Sequence, residues 1–286
     1  MSDELIQMSE YEYLKLRDFI NEFSGLYFDD TSKFFLEKRL NNRLQLHQFT
    51  SFEDYYFFLK YDRKKEEEIS AIAEVLTTNE TYFFREEPQL KAFTEEILPE
   101  IKKEYEAKGI RDLRIWSAGC STGEEPYTLA MLIKETGLFE DWNIEIFGSD
   151  ISLRVLKTAR NGVYSRSSFR ATKQEYIDRY FTPIGDGDQH RINDEIRSMI
   201  TFGQLNMIDS VKASTIDAMD IIFCRNVIIY FDKDTKKKVI EMFHERLKEC
   251  GFLFLGHSET LMNISNKFVL RHYTHDMVYQ KPTLIL

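Results

Sequence analysis

The residues best suited to chemistry lie in Ile115-Trp-Ser-Ala-Gly-Cys-Ser-Thr-Gly-Glu-Glu-Pro-Tyr127. The apolar start reads as a strand, and the two glycines as a turn that feeds a helix. Gly119 and Gly123 have no Cβ, so a ligand can come close to the backbone there. Pro126 suits the first turn of a helix, and Glu124 and Glu125 suit its positive end. The turn carries two acids and no lysine, the wrong charge for cradling phosphate. The ligand implied is neutral or cationic and offers hydroxyls or amines.

Three further segments carry polar groups at useful places. Ile146-Phe-Gly-Ser-Asp150 ends a strand in an acid. Nucleoside-binding α/β folds set a carboxylate there to accept ribose hydroxyls, although an acid at that point can also cap a helix. Asp220-Ile-Ile-Phe-Cys-Arg-Asn226 reads as a buried strand that delivers Arg225 and Asn226 to the same edge, with Tyr230 four residues on. Ordinary capping of the next helix would also explain Asn226. Thr77-Thr-Asn-Glu-Thr-Tyr-Phe-Phe-Arg85 is dense in hydrogen-bonding groups and then aromatic. In an extended chain Asn79 and Thr81 face the same way. Arg85 is its fixed cation, and Tyr82–Phe84 would plug a core. S-adenosylmethionine, a sulfonium with an amino group and a nucleoside, fits the demands of these segments.

The elements that must position these groups differ along the chain. Up to about residue 78 the pattern is helical. Leu16, Phe19, Ile20 and Phe23 form one stripe, Leu36, Leu40 and Leu44 a second, and Ile69, Ile72 and Leu76 another. Thr50-Ser-Phe-Glu53 reads as a capping box that opens a helix, and Arg63–Glu68 as a solvated helix face. From Leu113 onward strands and helices alternate. Strands are predicted at 113–118, 143–148, 199–204, 220–224 and 252–255, with a last pair near 268–271 and 276–280. Helices are predicted at 125–136, closed by Gly137, and at 233–250, closed by Gly251. This alternation predicts a doubly wound parallel sheet, with ligands at the carboxyl ends of its strands. Residues 162–198 break the rhythm and read as a small antiparallel β insertion.

Bulk properties narrow the class. The chain has 286 residues, 43% of them hydrophobic, enough for a substantial core. Its net charge of −10 and pI near 5.3 argue against nucleic acid as the main partner. Cys120, Cys224 and Cys250 show no paired spacing and read as reduced thiols. Neither a secretory signal nor a membrane-length apolar run is evident, so a soluble cytoplasmic protein is expected. No metal is expected. His272 and His275 would point to opposite faces of a strand, without an acid or cysteine cluster to join them. His257 reads as a loop cap or a residue at the site's edge. Cys120 has no His or Asp partner for nucleophilic work.

Five ordered blocks resemble the chemotaxis receptor methyltransferases (CheR-type enzymes). They are Thr78–Glu86, Trp116–Tyr127, Ser149-Asp150, Phe223–Asp232 and Gly256-His-Ser-Glu259. With the helical N-terminal part and the order of segments, the resemblance covers nearly the whole chain. It implies an all-α domain at 1–78 and a Rossmann-like class I methyltransferase domain at 79–286, with its insertion at about 162–198. It implies methyl transfer from S-adenosylmethionine to glutamate side chains on the cytoplasmic helices of chemoreceptors, leaving S-adenosylhomocysteine. Asn79, Thr81 and Arg85 would touch the cofactor's methionine end or the reacting carboxylate. Glu124 would meet the amino group beside Gly119, and Asp150 the ribose. Asn206 and Met207 would frame the adenine, and Arg225 and Asn226 would complete the cofactor site. Tyr230 would line the transfer channel beside Arg85.

The resemblance also bears on docking. Lys33, Lys38, Arg39 and Arg43 make one helix basic in an acidic protein, and such a face can steer toward an acidic helical substrate. Some family members grip a peptide tether at the receptor's C-terminus through a glycine-rich loop in the insertion. Here Pro183-Ile-Gly-Asp-Gly-Asp-Gln189 is short and acidic, so recognition independent of the tether is expected. The enzyme would act as a monomer and meet the membrane only through its receptor.

Overall fold

A computed structural model describes residues 5–63, 65–77 and 80–283. The chain divides into two compact units, Met1–Asn79 with Tyr230–Lys236, and Glu80–Ile229 with Lys237–Leu286. The first holds helices α1 (Glu10–Ser24), α2 (Lys33–Leu46), α3 (Phe52–Tyr61) and α4 (Lys65–Leu76). The stripes that predict them point inward: Leu16, Ile20, Leu36, Leu40, Leu44, Ile69, Ile72 and Leu76 are all buried. Ser9 and Glu12 cap α1 reciprocally. The cap of α3 falls one residue later than the Thr50–Glu53 box predicts. Ser51 Oγ accepts the Asp54 N–H at 3.1 Å, so Ser51 is the cap.

The charged run that opens α4 is not wholly solvated. Glu68 lies four residues before Ile72, on the same face, and is only 3% exposed. Its carboxylate takes Arg43 Nε at 2.9 Å and also Arg43 Nη2, the Tyr55 hydroxyl, and His47 Nε2 at 2.6 Å. Burial works against ionisation, but these hydrogen bonds prevail and hold the carboxyl below its ordinary value. The stabilisation from this group is therefore present above the unfolded pKa of about 4.3 and is lost as pH falls through the lower folded value.

In the second unit, α5 (Glu87–Lys91) runs through one π-helical stretch, Ala92–Ile97, into α6 (Leu98–Ala107). Then come β1 (Asp112–Ala118), α7 (Glu124–Thr136), β2 (Asn143–Asp150) and α8 (Leu153–Asn161). A small three-stranded antiparallel sheet follows, made of β3 (Val163–Ser165), β4 (Phe181–Ile184) and β5 (Gln189–Ile192) in the order β3-β5-β4, with α9 (Gln174–Tyr180) leading into β4. After α10 (Asp194–Arg197) the main sheet resumes with β6 (Ile200–Gln204), α11 (Ser210–Ala213), β7 (Met219–Cys224), α12 (Lys233–Arg246), β8 (Leu247–Leu255), β9 (Val269–His272) and β10 (Met277–Gln280).

The main sheet has the order β6-β2-β1-β7-β8-β10-β9. Its first five strands are parallel, and β10 and β9 add as an antiparallel pair, so the sheet is mixed and not purely parallel. Chain order moves outward from β1 on one side through β2 and β6, and on the other through β7 and β8. That reversal is the topological switch point, where such folds open a crevice beyond the strands' carboxyl ends.

The predicted helix at 233–250 ends early, at Arg246. Leu247 already pairs with Met219, and Lys248–Gly251 form an irregularity in β8, with Cys250 at φ 63°. Gly251 does not close a helix. A Cβ there would lie 2.9 Å from the Lys248 carbonyl oxygen and 3.0 Å from that of Asp220, so the close backbone approach demands glycine. Among the described residues no helix is long and apolar enough to cross a membrane.

Replacing Glu68 with Gln removes the charge that pairs with Arg43. The expected loss is about 3–5 kcal/mol of folding stability, measured by urea denaturation near neutral pH. The difference between variant and parent should shrink as the pH drops below 4.

Candidate active site at the strand carboxyl ends

β1 ends in a turn whose geometry explains its glycines. Gly119 stands at φ 79°, Ser121 at 49° and Gly123 at 94°, all left-handed. A Cβ on Gly123 would meet the Ala159 Cβ at 2.8 Å, and one on Gly119 would meet Val227 Cγ2 at 2.5 Å. The turn is tied to the end of β2. The Ser149 carbonyl accepts the Gly119 and Cys120 N–H groups at 2.8 and 2.9 Å. Asp150 Oδ2 accepts the Ser121 N–H at 2.9 Å, and Oδ1 accepts the Ser152 N–H at the same distance. Asp150 does not cap α8. Ser152 is the N-cap and accepts from the Val155 N–H. The Asp150 carbonyl accepts the Leu205 N–H at 3.0 Å, which draws the end of β6 alongside. Asn206 and Met207 follow at once, both half-buried.

The two acids of the turn have separate partners. Glu124 is 2% exposed and accepts the Thr122 hydroxyl at 2.6 Å and the Ser168 hydroxyl at 3.0 Å. Burial pushes its carboxyl above the ordinary range against those bonds. A cation arriving beside it would favour the ionised form. Glu125 turns the other way, to Ser117 Oγ at 2.7 Å and Arg225 Nε at 2.6 Å. Burial, helped by Asp150 and Glu125, pushes the Cys120 thiol up, so it stays protonated near neutral pH.

The aromatic end of the polar-aromatic segment is held by the chain around Ser168 and by α7. Phe83 donates its N–H to the Ser168 carbonyl at 2.9 Å, and Phe84 donates to Thr128 Oγ1 at 3.2 Å. The Phe83 ring is fully buried against Tyr164, Phe169 and Phe181, the plug that the sequence predicts. Phe84 and Glu86 both hold left-handed backbone, so tertiary contacts and not propensity shape this stretch. Arg85 donates from Nη1 to the Glu80 carbonyl at 2.9 Å. Arg225 donates to the Arg85 carbonyl at 2.9 Å and to Gln89 Oε1 at 3.4 Å. Arg225 therefore spans α7 and the Arg85 segment as a buried strut.

The remaining predicted residues fall out as follows. Asn226, just past β7, is left-handed at φ 61°, and its buried side-chain Oδ1 has no hydrogen-bond partner among the described residues. Gly119, Glu124, Asp150, Asn206, Met207 and Asn226 thus gather at the carboxyl ends of β1, β2, β6 and β7. Thr81 and Arg85 belong to the segment tied to them. Asn79 lies outside the described residues. Tyr230 groups with the helical unit, where its carbonyl accepts the Tyr27 N–H at 2.8 Å. Within α2, Lys38 and Arg39 are exposed, Arg39 sits over the Phe35 ring at 5.3 Å, and Lys33 lies 3.5 Å from Glu10. Arg43 is instead turned inward to Glu68. His275 pairs with Glu95 at 2.9 Å.

Sequence reasoning missed Ser168, Ser152 and Gln89, and it gave Glu259 no role beyond membership of the Gly256-His-Ser-Glu259 block. Ser152 could have been found, since it immediately precedes an apolar helical repeat. Ser168 and Glu124 are 44 positions apart, and no local signal links them.

Comparison with known proteins finds relatives along most of the chain. A family described as "CheR methyltransferase, SAM binding domain" matches residues 79–277, and one described as "CheR methyltransferase, all-alpha domain" matches 11–77. Chemotaxis protein methyltransferase 2 of Vibrio cholerae is 36% identical, over 97% of this chain and 95% of its own. The chemotaxis protein methyltransferase of Borreliella burgdorferi is 33% identical, over 91% and 92%, and that of Escherichia coli 31%, over 95% and 92%.

Gly123→Ala tests the turn. The left-handed backbone alone should cost about 1–2 kcal/mol, and the contact with Ala159 should add to it. A variant as stable as its parent in urea denaturation would show that the turn tolerates a Cβ.

Proposed function

The chain belongs to the CheR methyltransferase family, and from that premise we propose how its residues perform the reaction. It is an S-adenosylmethionine-dependent methyltransferase that methylates chemoreceptors in chemotaxis. The acceptors are glutamate side-chain carboxylates on the receptor's cytoplasmic helices, which become methyl esters. The observation that carries this reading is a pair of buried acids, Glu124 and Asp150, around a glycine turn that holds no lysine.

The residues present suit S-adenosylmethionine. Asp150 offers carboxylate oxygens for ribose hydroxyls, and Glu124 a buried acid for an ammonium group. Asn226 Oδ1 is a buried acceptor without a donor among the described residues. Asn206 and Met207 flank the adenine, and Thr81 serves the methionine end, a role the family resemblance also assigns to Asn79. Arg225 contributes by holding the Arg85 backbone. When bound, the cofactor supplies a methyl group on positively charged sulfur, an activated leaving group.

The protein's task is alignment. A glutamate of ordinary pKa, about 4.3, is already a nucleophile near pH 7, so no general base is required. Orientation of acceptor and donor contributes on the order of 7–11 kcal/mol in well-placed pairs. Arg85 orients the acceptor carboxylate, and Tyr230 shares that task on the strength of the family resemblance. Arg85 also donates to the Glu80 carbonyl, which limits how tightly it grips the carboxylate and spares its nucleophilicity.

Docking of the receptor falls to Lys33, Lys38 and Arg39 on α2, since Arg43 is engaged by Glu68. The short acidic loop at 183–189 supports recognition that does not need a C-terminal receptor peptide. The enzyme works as a cytoplasmic monomer.

Incubation with tritiated methyl donor and chemoreceptor membranes should place base-labile label on the receptor; base-stable label would refute ester formation. Arg85→Ala should lower turnover by about a hundredfold. Unchanged turnover would remove Arg85 from the mechanism. Reversing Lys38 and Arg39 to Glu should weaken receptor binding and flatten its dependence on salt.

A further inference from the structure

Glu259 stands in the turn after β8 and grips two strand ends at once. Its Oε2 accepts the Asn226 N–H at 2.8 Å and the Gly256 N–H at 2.7 Å. Its Oε1 accepts the Val227 N–H at 2.9 Å and the Ile229 N–H at 3.2 Å. One carboxylate therefore satisfies four backbone donors. β7 and β8 are parallel neighbours through Cys224 and Leu255, so the clamp joins them just beyond their last pairing.

The turn it grips needs outside support. Asn226 is left-handed, a backbone state that costs a non-glycine residue free energy. Its N–H would also lack a partner without the carboxylate. Gly256 leaves the necessary room: a Cβ there would lie 2.9 Å from Asn226 N and from its Nδ2, and 3.0 Å from Glu259 Oε2. Val227, held by the same carboxylate, fills the space above Gly119, where it would meet a Cβ at 2.5 Å. The clamp therefore reaches both glycine-turn and Asn226 sides of the crevice. Burial pushes the Glu259 carboxyl up, and the N–H groups of Gly256, Asn226, Ile229 and Val227 oppose that rise.

We propose that Glu259 is a positioning residue for cofactor binding: it fixes the Asn226–Ile229 turn so that Asn226 Oδ1 faces the cofactor and Val227 buttresses Gly119. This rests on the assignment of Asn226 to the cofactor site. Glu259 does not touch the reacting atoms and acts through the backbone it holds.

Glu259→Gln tests the idea on the full-length protein. Either amide orientation sets an NH2 group against two backbone N–H groups. S-adenosylhomocysteine binding, measured by calorimetry, should weaken at least tenfold, and amide exchange should quicken at Asn226–Ile229 while the rest of the sheet stays protected. Glu259→Asp keeps both oxygens on a shorter stem and should recover part of the affinity; it also serves if the Gln variant does not fold. Glu96→Gln is the control. Glu96 accepts the Thr274 and His275 N–H groups away from the crevice, and its loss should leave affinity unchanged. Parental affinity in folded Glu259→Gln would overturn the proposal. So would weakened binding accompanied by faster exchange across the whole sheet, which would mark Glu259 as merely structural. Failure of the parent protein to bind S-adenosylhomocysteine would instead refute the cofactor reading itself.

Discussion

The last two residues of β2 hold the crevice together. The Ser149 carbonyl takes two N–H groups from the glycine turn, the Asp150 carboxylate takes one from that turn and one from the start of α8, and the Asp150 carbonyl takes one from Leu205 beyond β6. Three parallel strand ends are thereby fixed through main-chain donors. Such bonds depend on backbone position and not on rotamer choice, so the walls of the crevice are set before any ligand arrives. The Trp116 indole N–H adds a further tie, to Ser149 Oγ at 2.9 Å.

Charge is arranged with the same economy. Glu124 and Glu125 are adjacent, yet one points to the Thr122 and Ser168 hydroxyls and the other to buried Arg225. Glu125 is neutralised by its ion pair. Glu124 is partnered only by neutral donors in the hydrogen bonds described, and burial makes its charged form costly. That asymmetry leaves one acid with an electrostatic incentive to meet a cation. The helical unit shows the opposite outcome. Glu68 is equally deep, but Arg43, Tyr55 and His47 satisfy it fully, and it serves stability.

Where expectation and structure part, long-range contacts override local signals. The periodicity of Val239, Met242 and Phe243 continues to Leu247, so a helix running to Gly251 is the natural reading. Pairing of Leu247 with Met219 ends that helix instead. The run Arg63–Glu68 looks solvated because it is charged throughout and mixed in sign, but the α4 face turns Glu68 onto Arg43, 25 positions away. The parallel strands were legible from their apolar runs. The antiparallel addition of β9 and β10 was not, since strand direction leaves no mark on short segments.

The chain's own order of residues determined the helical first part, the strand-turn-helix around Gly119 and Gly123, and the acid that ends β2, because these rest on periodicity and on backbone freedom that glycine alone supplies. The five ordered motifs also carried the family resemblance. Only the tertiary structure decided which polar groups serve each other and which remain for a ligand. Arg225 and Asn226 are neighbours in sequence, yet one serves as a strut and the other keeps an oxygen that no described residue pairs with. That division depends on Glu125 and Glu259, which are 100 and 33 positions away, and such distances are closed by packing alone.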